Sequence, residues 1–98
     1  MSKNIVIDGE LFDDMHGFYD HVTPMLTDGI GEYGHNLDAF CDMLRGGLGA
    51  HYYGEPLEIL WKNFGLSRER LGDRRVLNII SVILASDDAH ECTLKIEE

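Results

Sequence analysis

Asp73-Arg74-Arg75-Val76-Leu77-Asn78-Ile79-Ile80-Ser81-Val82-Ile83-Leu84-Ala85-Ser86 is the stretch on whose reading the fold turns. From Val76 to Leu84 it is apolar on almost every side, and it fits a buried strand or a buried helix equally well by periodicity. About thirteen residues is long for a strand, and Asn78 and Ser81, three apart, share one helical face. Asp73 is placed to cap the N-terminal end. The segment is therefore predicted to be a helix across Arg74–Ser86, and the alternating Cys92-Thr93-Leu94-Lys95-Ile96 that follows is a strand.

Working outward, Ser67–Leu71 reads as a short helix or turn stopped by Gly72. Leu57–Trp61, after Pro56, reads as another strand, and Ile5-Val6-Ile7, closed by Asp8-Gly9, as the first. Between them Leu11, Met15, Phe18, Val22 and Met25 recur at helical spacing, which predicts a helix over Leu11–Leu26. Asp13 is its expected N-cap, Asp14 lies in its first turn, and Pro24 is expected to bend or end it. Thr27–Gly34, with Gly29, Gly31 and Gly34, is a loop. Asn36 then caps a helix running to about Arg45 and terminated by Gly46-Gly47. The order is β-α-α-β-α-α-β. Helices between strands make crossovers, so the expectation is an α/β domain over residues 1–98: a three-stranded, mostly parallel sheet packed with about four helices.

Charge narrows the function. The 98 residues hold 18 Asp and Glu against 8 Lys and Arg, a formal net charge of −10, and a 44% hydrophobic content suits a globular fold. Residues 1–42 carry nearly all of the imbalance, with Lys3 as their single base. Such a field repels phosphate backbones and anionic lipids and attracts basic partners, so no nucleic acid or membrane is expected to bind. Cys41 and Cys92 are too few for a disulfide framework and read as buried thiols in a reducing compartment. There is no signal-peptide pattern at the N-terminus, and the run Val76–Ala85 is too short to span a bilayer. The expected location is the cytoplasm.

A helical projection of residues 36–45 puts Leu37, Phe40, Cys41 and Leu44 on a stripe facing the core. Asp38, Asp42 and Arg45 share another flank, which His35 would join if the helix began a turn earlier. Two like charges at i and i+4 cost an isolated helix roughly 0.2–0.5 kcal/mol. On spacing alone the flank reads first as a solvated face in which Asp42 pairs with Arg45. The loop Gly31-Glu32-Tyr33-Gly34 leads straight into this helix, so that backbone, Tyr33 and the first turn converge on one surface.

The segment Tyr33-Gly34-His35-Asn36-Leu37-Asp38-Ala39-Phe40-Cys41-Asp42-Met43-Leu44-Arg45-Gly46 resembles the signature of the barstar family, bacterial intracellular inhibitors of barnase-type ribonucleases. Glu55–Trp61 with Asn63-Phe64 resembles that family's second strand and its exit. The resemblance implies a barstar-like fold and an immunity protein that plugs a basic ribonuclease site. Asp42 would occupy the enzyme's phosphate-binding site and Asp38 would add a second charge contact. Asn36, Tyr33, Gly34 and Ala39 would supply hydrogen bonds and shape, with Cys41 and Arg45 completing the surface. The chain departs from the family pattern at Glu32, where the family has a tyrosine, and at Cys41 and Gly47, where it has tryptophans. The family's glutamate on the last helix would fall near Val82 or Ile83.

Other constellations carry less. His16 and His21 are five apart and share no helical face, and no Cys or His pair has zinc-finger spacing. Neither metal nor cofactor is expected. Gly29-x-Gly31-x-x-Gly34 matches a dinucleotide fingerprint formally but follows a helix instead of a strand. Asp38 with His35 lacks a nucleophile in a recognisable setting, so an enzyme is not expected. The basic cluster Arg68, Arg70, Arg74 and Arg75 reads as offsetting the acidic half or as solvated surface, not as a nucleic-acid site. The expected partner is a basic protein, a barnase-type ribonuclease first, with the free chain a monomer. The alternatives are a regulatory module of the same fold or an immunity protein for another toxin.

Overall fold

The computed structural model describes residues 2–85 and 91–98. The deciding stretch is a helix. In chain order the elements are β1 (Lys3–Asp8), a 3-10 turn (Gly9–Leu11), α1 (Met15–Leu26), α2 (Leu37–Arg45), β2 (Leu57–Lys62), α3 (Phe64–Leu71), α4 (Asp73–Leu84) and β3 (Cys92–Ile96). The expected order β-α-α-β-α-α-β is the observed one. The three strands lie in the order β1-β2-β3, and both pairings are parallel, with Ile5 beside Ile59 and Ile59 beside Leu94.

Alternation along the strands sends Ile5, Ile7, Leu57, Ile59, Trp61 and Cys92 into the core. Asn4, Val6, Glu58, Thr93 and Lys95 point the other way and are exposed. The helices therefore cover one face of this parallel sheet and leave the other wet, where parallel sheets are usually covered on both. The alternating strands are what permit it.

The core centres on Trp61, whose indole N–H donates to Ser67 Oγ at 2.9 Å. Phe64 meets its ring edge-on at 5.1 Å, and Phe18 packs between it and Phe40, 5.2 Å from the latter. All four rings are buried, so truncating any one would cost about 3–5 kcal/mol.

Local chemistry corrects several expected boundaries. Asp14, not Asp13, caps α1: its Oδ1 accepts the Gly17 N–H at 2.7 Å. Leu11 belongs to the 3-10 turn and is exposed, because Asp8 Oδ1 accepts from the Glu10 N–H at 3.0 Å and closes that turn first. Pro24 sits within the last turn of α1 without ending it; the chain leaves the helix at Thr27. In α3 the helix begins at Phe64, three residues before Ser67, because Asn63 takes a left-handed conformation (φ 53°, ψ 42°) that asparagine tolerates. Gly72, not Asp73, occupies the N-cap position of α4, since the Asp73 carboxylate is turned to the Arg68 guanidinium at 3.0 Å. Val76, Ile79 and Ile83 form the buried stripe of α4, while Leu77 and Leu84 are exposed, so this helix is amphipathic instead of apolar all round. It ends at Leu84; the expected terminus at Ser86 lies outside the described residues. Among the described residues no helix is long and apolar enough to cross a membrane.

Candidate functional site

The acidic helix starts and stops where its sequence demands. Asn36, in extended conformation, accepts the Ala39 N–H on Oδ1 at 2.8 Å, and Gly46 leaves the last turn at φ 92° and ψ −167°, a conformation essentially reserved for glycine. Phe40, Met43 and Leu44 are buried. The projected stripe is thus rotated slightly: Leu37 and Cys41 are only half-buried, and Met43 takes the inner position. This rotation leaves Asp38 and Asp42 fully on the outside. Among the described residues neither carboxylate holds a hydrogen bond or ion pair. Asp38 lies in the first turn, where the helix dipole favours a negative charge, and Arg45 in the last, where it favours a positive one.

The loop before α2 is built by polar side chains. Thr27 is buried; its hydroxyl donates to the Thr23 carbonyl at 2.7 Å and accepts the Gly29 N–H at 3.0 Å. Asp28 Oδ1 accepts the Ile30 N–H at 3.0 Å and the Tyr33 hydroxyl at 2.8 Å. These donors hold the Asp28 carboxyl below its ordinary range, and the carboxylate in turn pushes the Tyr33 phenol up. Gly34 packs close to the cap: a Cβ there would stand 3.1 Å from Asn36 Nδ2 and 3.3 Å from Ala39 Cβ. Asp28 is a residue the sequence reading missed. The signal was present, since Thr27-Asp28-Gly29 is a turn-forming triplet whose aspartate bonds backbone two residues on.

The loop after α2 is built by the backbone. Gly47 N donates to the His51 carbonyl at 3.0 Å and Gly54 N to the Arg45 carbonyl at 2.7 Å. His51 is buried, with Nε2 3.3 Å from the Leu44 carbonyl. The Asp28 N–H donates to the Leu48 carbonyl at 2.8 Å and ties the two loops together. Tyr52 and Tyr53, which the sequence reading passed over, are 83% and 67% exposed. A Cβ at Gly47 would lie 3.5 Å from Tyr53 Cβ, so an aromatic ring stands next to the position where the family carries tryptophan.

Two expectations shift. His35 does not join the Asp38–Asp42 flank: it precedes the helix and turns to α1, with Nε2 2.7 Å from Asp20 Oδ1. The Asp20 carboxyl is held below its ordinary range, first by this contact and then by His16. On α4, Ile83 is buried and Val82 packs on the core, so neither is placed to meet a partner as the family's glutamate would. An open cleft of about 440 Å³ joins α1, the start of α2 and α4, and the α4 residues that line it beside Asp38 are Arg75 and Asn78.

The sequence model of barstar (barnase inhibitor) matches residues 2–95. The chain belongs to the barstar family. No curated protein matches it. Within this barstar-family chain, the acidic helix α2 is formed with its asparagine cap and its glycine exit.

Proposed function

We propose that this barstar-family chain is a cytoplasmic, single-domain immunity protein that blocks the basic active site of a barnase-type ribonuclease with the surface from Tyr33 to Arg45. The observation that carries the reading is the pair of exposed carboxylates, Asp38 and Asp42, held one turn apart on a capped helix and unengaged by the described residues. A carboxylate fixed on a rigid helix can meet a guanidinium bidentately with little ordering cost on association. Asp42 is the central contact and Asp38 the second. Asn36, Gly34, Ala39 and Tyr33 shape the approach, and Cys41 and Arg45 border it. Tyr53 and Tyr52 add aromatic surface beside Gly47.

The net charge of −10 steers a basic enzyme toward this face. Inhibition is blockade: the carboxylates take the positions of substrate phosphates, and no chemistry on the inhibitor is needed. A ribonuclease-inhibition titration against barnase-type enzymes tests the reading. Stoichiometric inhibition is expected, with an association rate that falls steeply as salt rises from 0.05 to about 1 M, where the screening length shrinks to about 3 Å. Absence of inhibition across such enzymes would overturn it.

Arg75, a basic residue on α4 that lines the same cleft as Asp38, favours one further reading. The same face would then serve an immunity function against a toxin of different charge pattern. Charge reversal at Arg75 separates the two: Arg75→Glu strengthens binding to a barnase-type enzyme and weakens binding to a toxin that presents acid there.

A further inference from the structure

His16, Asp20 and His35 come from two segments and meet at one carboxylate. His16 and Asp20 are one turn apart on α1, with Nδ1 3.2 Å from Oδ2. His35, from the loop ahead of α2, places Nε2 2.7 Å from the other oxygen, Oδ1. The two imidazoles stack at 4.3 Å with an 8° tilt, and Tyr19 meets the His35 ring edge-on at 6.0 Å, which fixes its orientation. All three residues are exposed, and their three ligand atoms lie within 4.8 Å of one another.

We propose that His16, Asp20 and His35 form a binding site for one divalent transition-metal ion of the zinc class. Two imidazole nitrogens and a carboxylate oxygen suit Zn²⁺, Ni²⁺, Co²⁺ or Cu²⁺, and do not suit Mg²⁺ or Ca²⁺, which take oxygen ligands. Zinc bonds of about 2.0–2.2 Å to these atoms need donors roughly 3.3 Å apart, so side-chain adjustments of an ångström or so close the site. Each ring coordinates as neutral imidazole, with the proton on its other nitrogen. The metal then replaces the present His–Asp contacts, and water fills the remaining positions. The surrounding field favours a cation, since residues 1–42 carry nine acids and one base.

Chain spacing hid this site, because its third ligand arrives through the tertiary fold. Its consequence is structural: a bound ion would clip α1 to the loop that ends in the Asn36 cap.

Calorimetric titration of the tag-free full chain with ZnCl₂ tests it, without reference to any ribonuclease. One equivalent is expected to bind. His16→Ala, Asp20→Ala and His35→Ala are each expected to weaken binding by at least about tenfold, since even loss of a ligand's outer partner costs that much. All three positions are exposed, so the variants are expected to keep the wild-type circular dichroism. With Co²⁺ in place of Zn²⁺, paramagnetic broadening should centre on the amides of residues 15–20 and 34–36. No saturable binding, or binding undiminished in the His16→Ala/His35→Ala double variant, would overturn the proposal. Broadening centred around Cys41 and Cys92 would do so equally.

Discussion

The loops on either side of α2 solve the same problem in opposite ways. The leading loop, residues 27–36, is held by side chains, buried Thr27 and the more exposed Asp28, Tyr33 and Asn36, which bond the backbone and one another. The trailing loop, residues 46–56, leans chiefly on backbone conformation: Gly46, Gly47, Gly49 and Gly54 all have positive φ and His51 is buried beneath them, with Glu55 Oε1 accepting the Tyr52 N–H and Lys3 Nζ donating to the Ala50 carbonyl in support. Side-chain bonds at a surface can be removed one at a time while the fold persists. A glycine-only conformation wedged against its neighbours cannot be relaxed locally. The leading loop should therefore tune binding, and the trailing loop should share in global stability.

Substitution at Gly46 is expected to give the largest effect. A Cβ there would fall against the Tyr52 carbonyl oxygen and lie 2.8 Å from His51 Cδ2, at a φ of 92°. The backbone penalty of about 1–3 kcal/mol and the overpacking of about 1–3 kcal/mol together predict that Gly46→Ala destabilises by roughly 2–6 kcal/mol. Urea unfolding should show a lower midpoint at unchanged slope. A loss below about 0.5 kcal/mol would break the comparison at its trailing end.

Next comes Asn36→Ala, which removes the bond to the Ala39 N–H and should cost about 1 kcal/mol by the same measurement. Asp28→Ala should barely move the urea midpoint. It should weaken partner association by about 1 kcal/mol, because Tyr33 and the loop backbone must then be ordered at the interface. If Asp28→Ala instead destabilised the fold as much as Gly46→Ala, the two loops would not differ in kind.

The smallest effect lies outside both loops and has to be separated from them. His21 accepts the Asp8 N–H on Nε2 at 3.1 Å, and burial holds its pKa below the ordinary value, with Asp8 acting the other way. The unfolded chain then takes up the proton more readily than the folded one. This contribution is full above pH about 6.5 and is lost as pH falls through that value toward the folded pKa. Urea midpoints between pH 7.5 and 5 should fall, and His21→Gln should flatten that slope while leaving the loop comparison intact.

How much of this was legible depended on the range of the interaction. Asn36, Arg45 and Gly46 were readable because capping is decided within four residues, and Cys92–Ile96 because alternation is local. The helix at residues 73–84 was readable from its length, but its exposed Leu77 and Leu84 were not, since burial depends on what packs against it. Asp13 and Asp14 competed for one cap, and Asp14 takes it by accepting the Gly17 N–H, which depends on where the chain enters the helix. Asp28 was a local signal passed over. His35 would have joined the helix flank only had the helix begun a turn earlier, and the sequence does not show that Asp20, fifteen residues earlier, stands opposite it. The departures at Glu32, Cys41 and Gly47 were visible at once; that Tyr53 stands beside Gly47 required the trailing loop to be folded.

Under the proposed function, the exposed carboxylates of α2 are the binding centre, with Asp42 foremost. Truncating one member of a desolvated charge pair at an interface, for which barnase and barstar are the reference case, costs about 2–5 kcal/mol. The most direct measurement is the dissociation constant of the inhibitor–ribonuclease complex for wild type and Asp42→Ala, at fixed salt and with unfolding curves recorded on both. An affinity loss of at least about 30-fold is expected, carried mainly by faster dissociation, at unchanged fold stability. Equal affinity for the two proteins would contradict it.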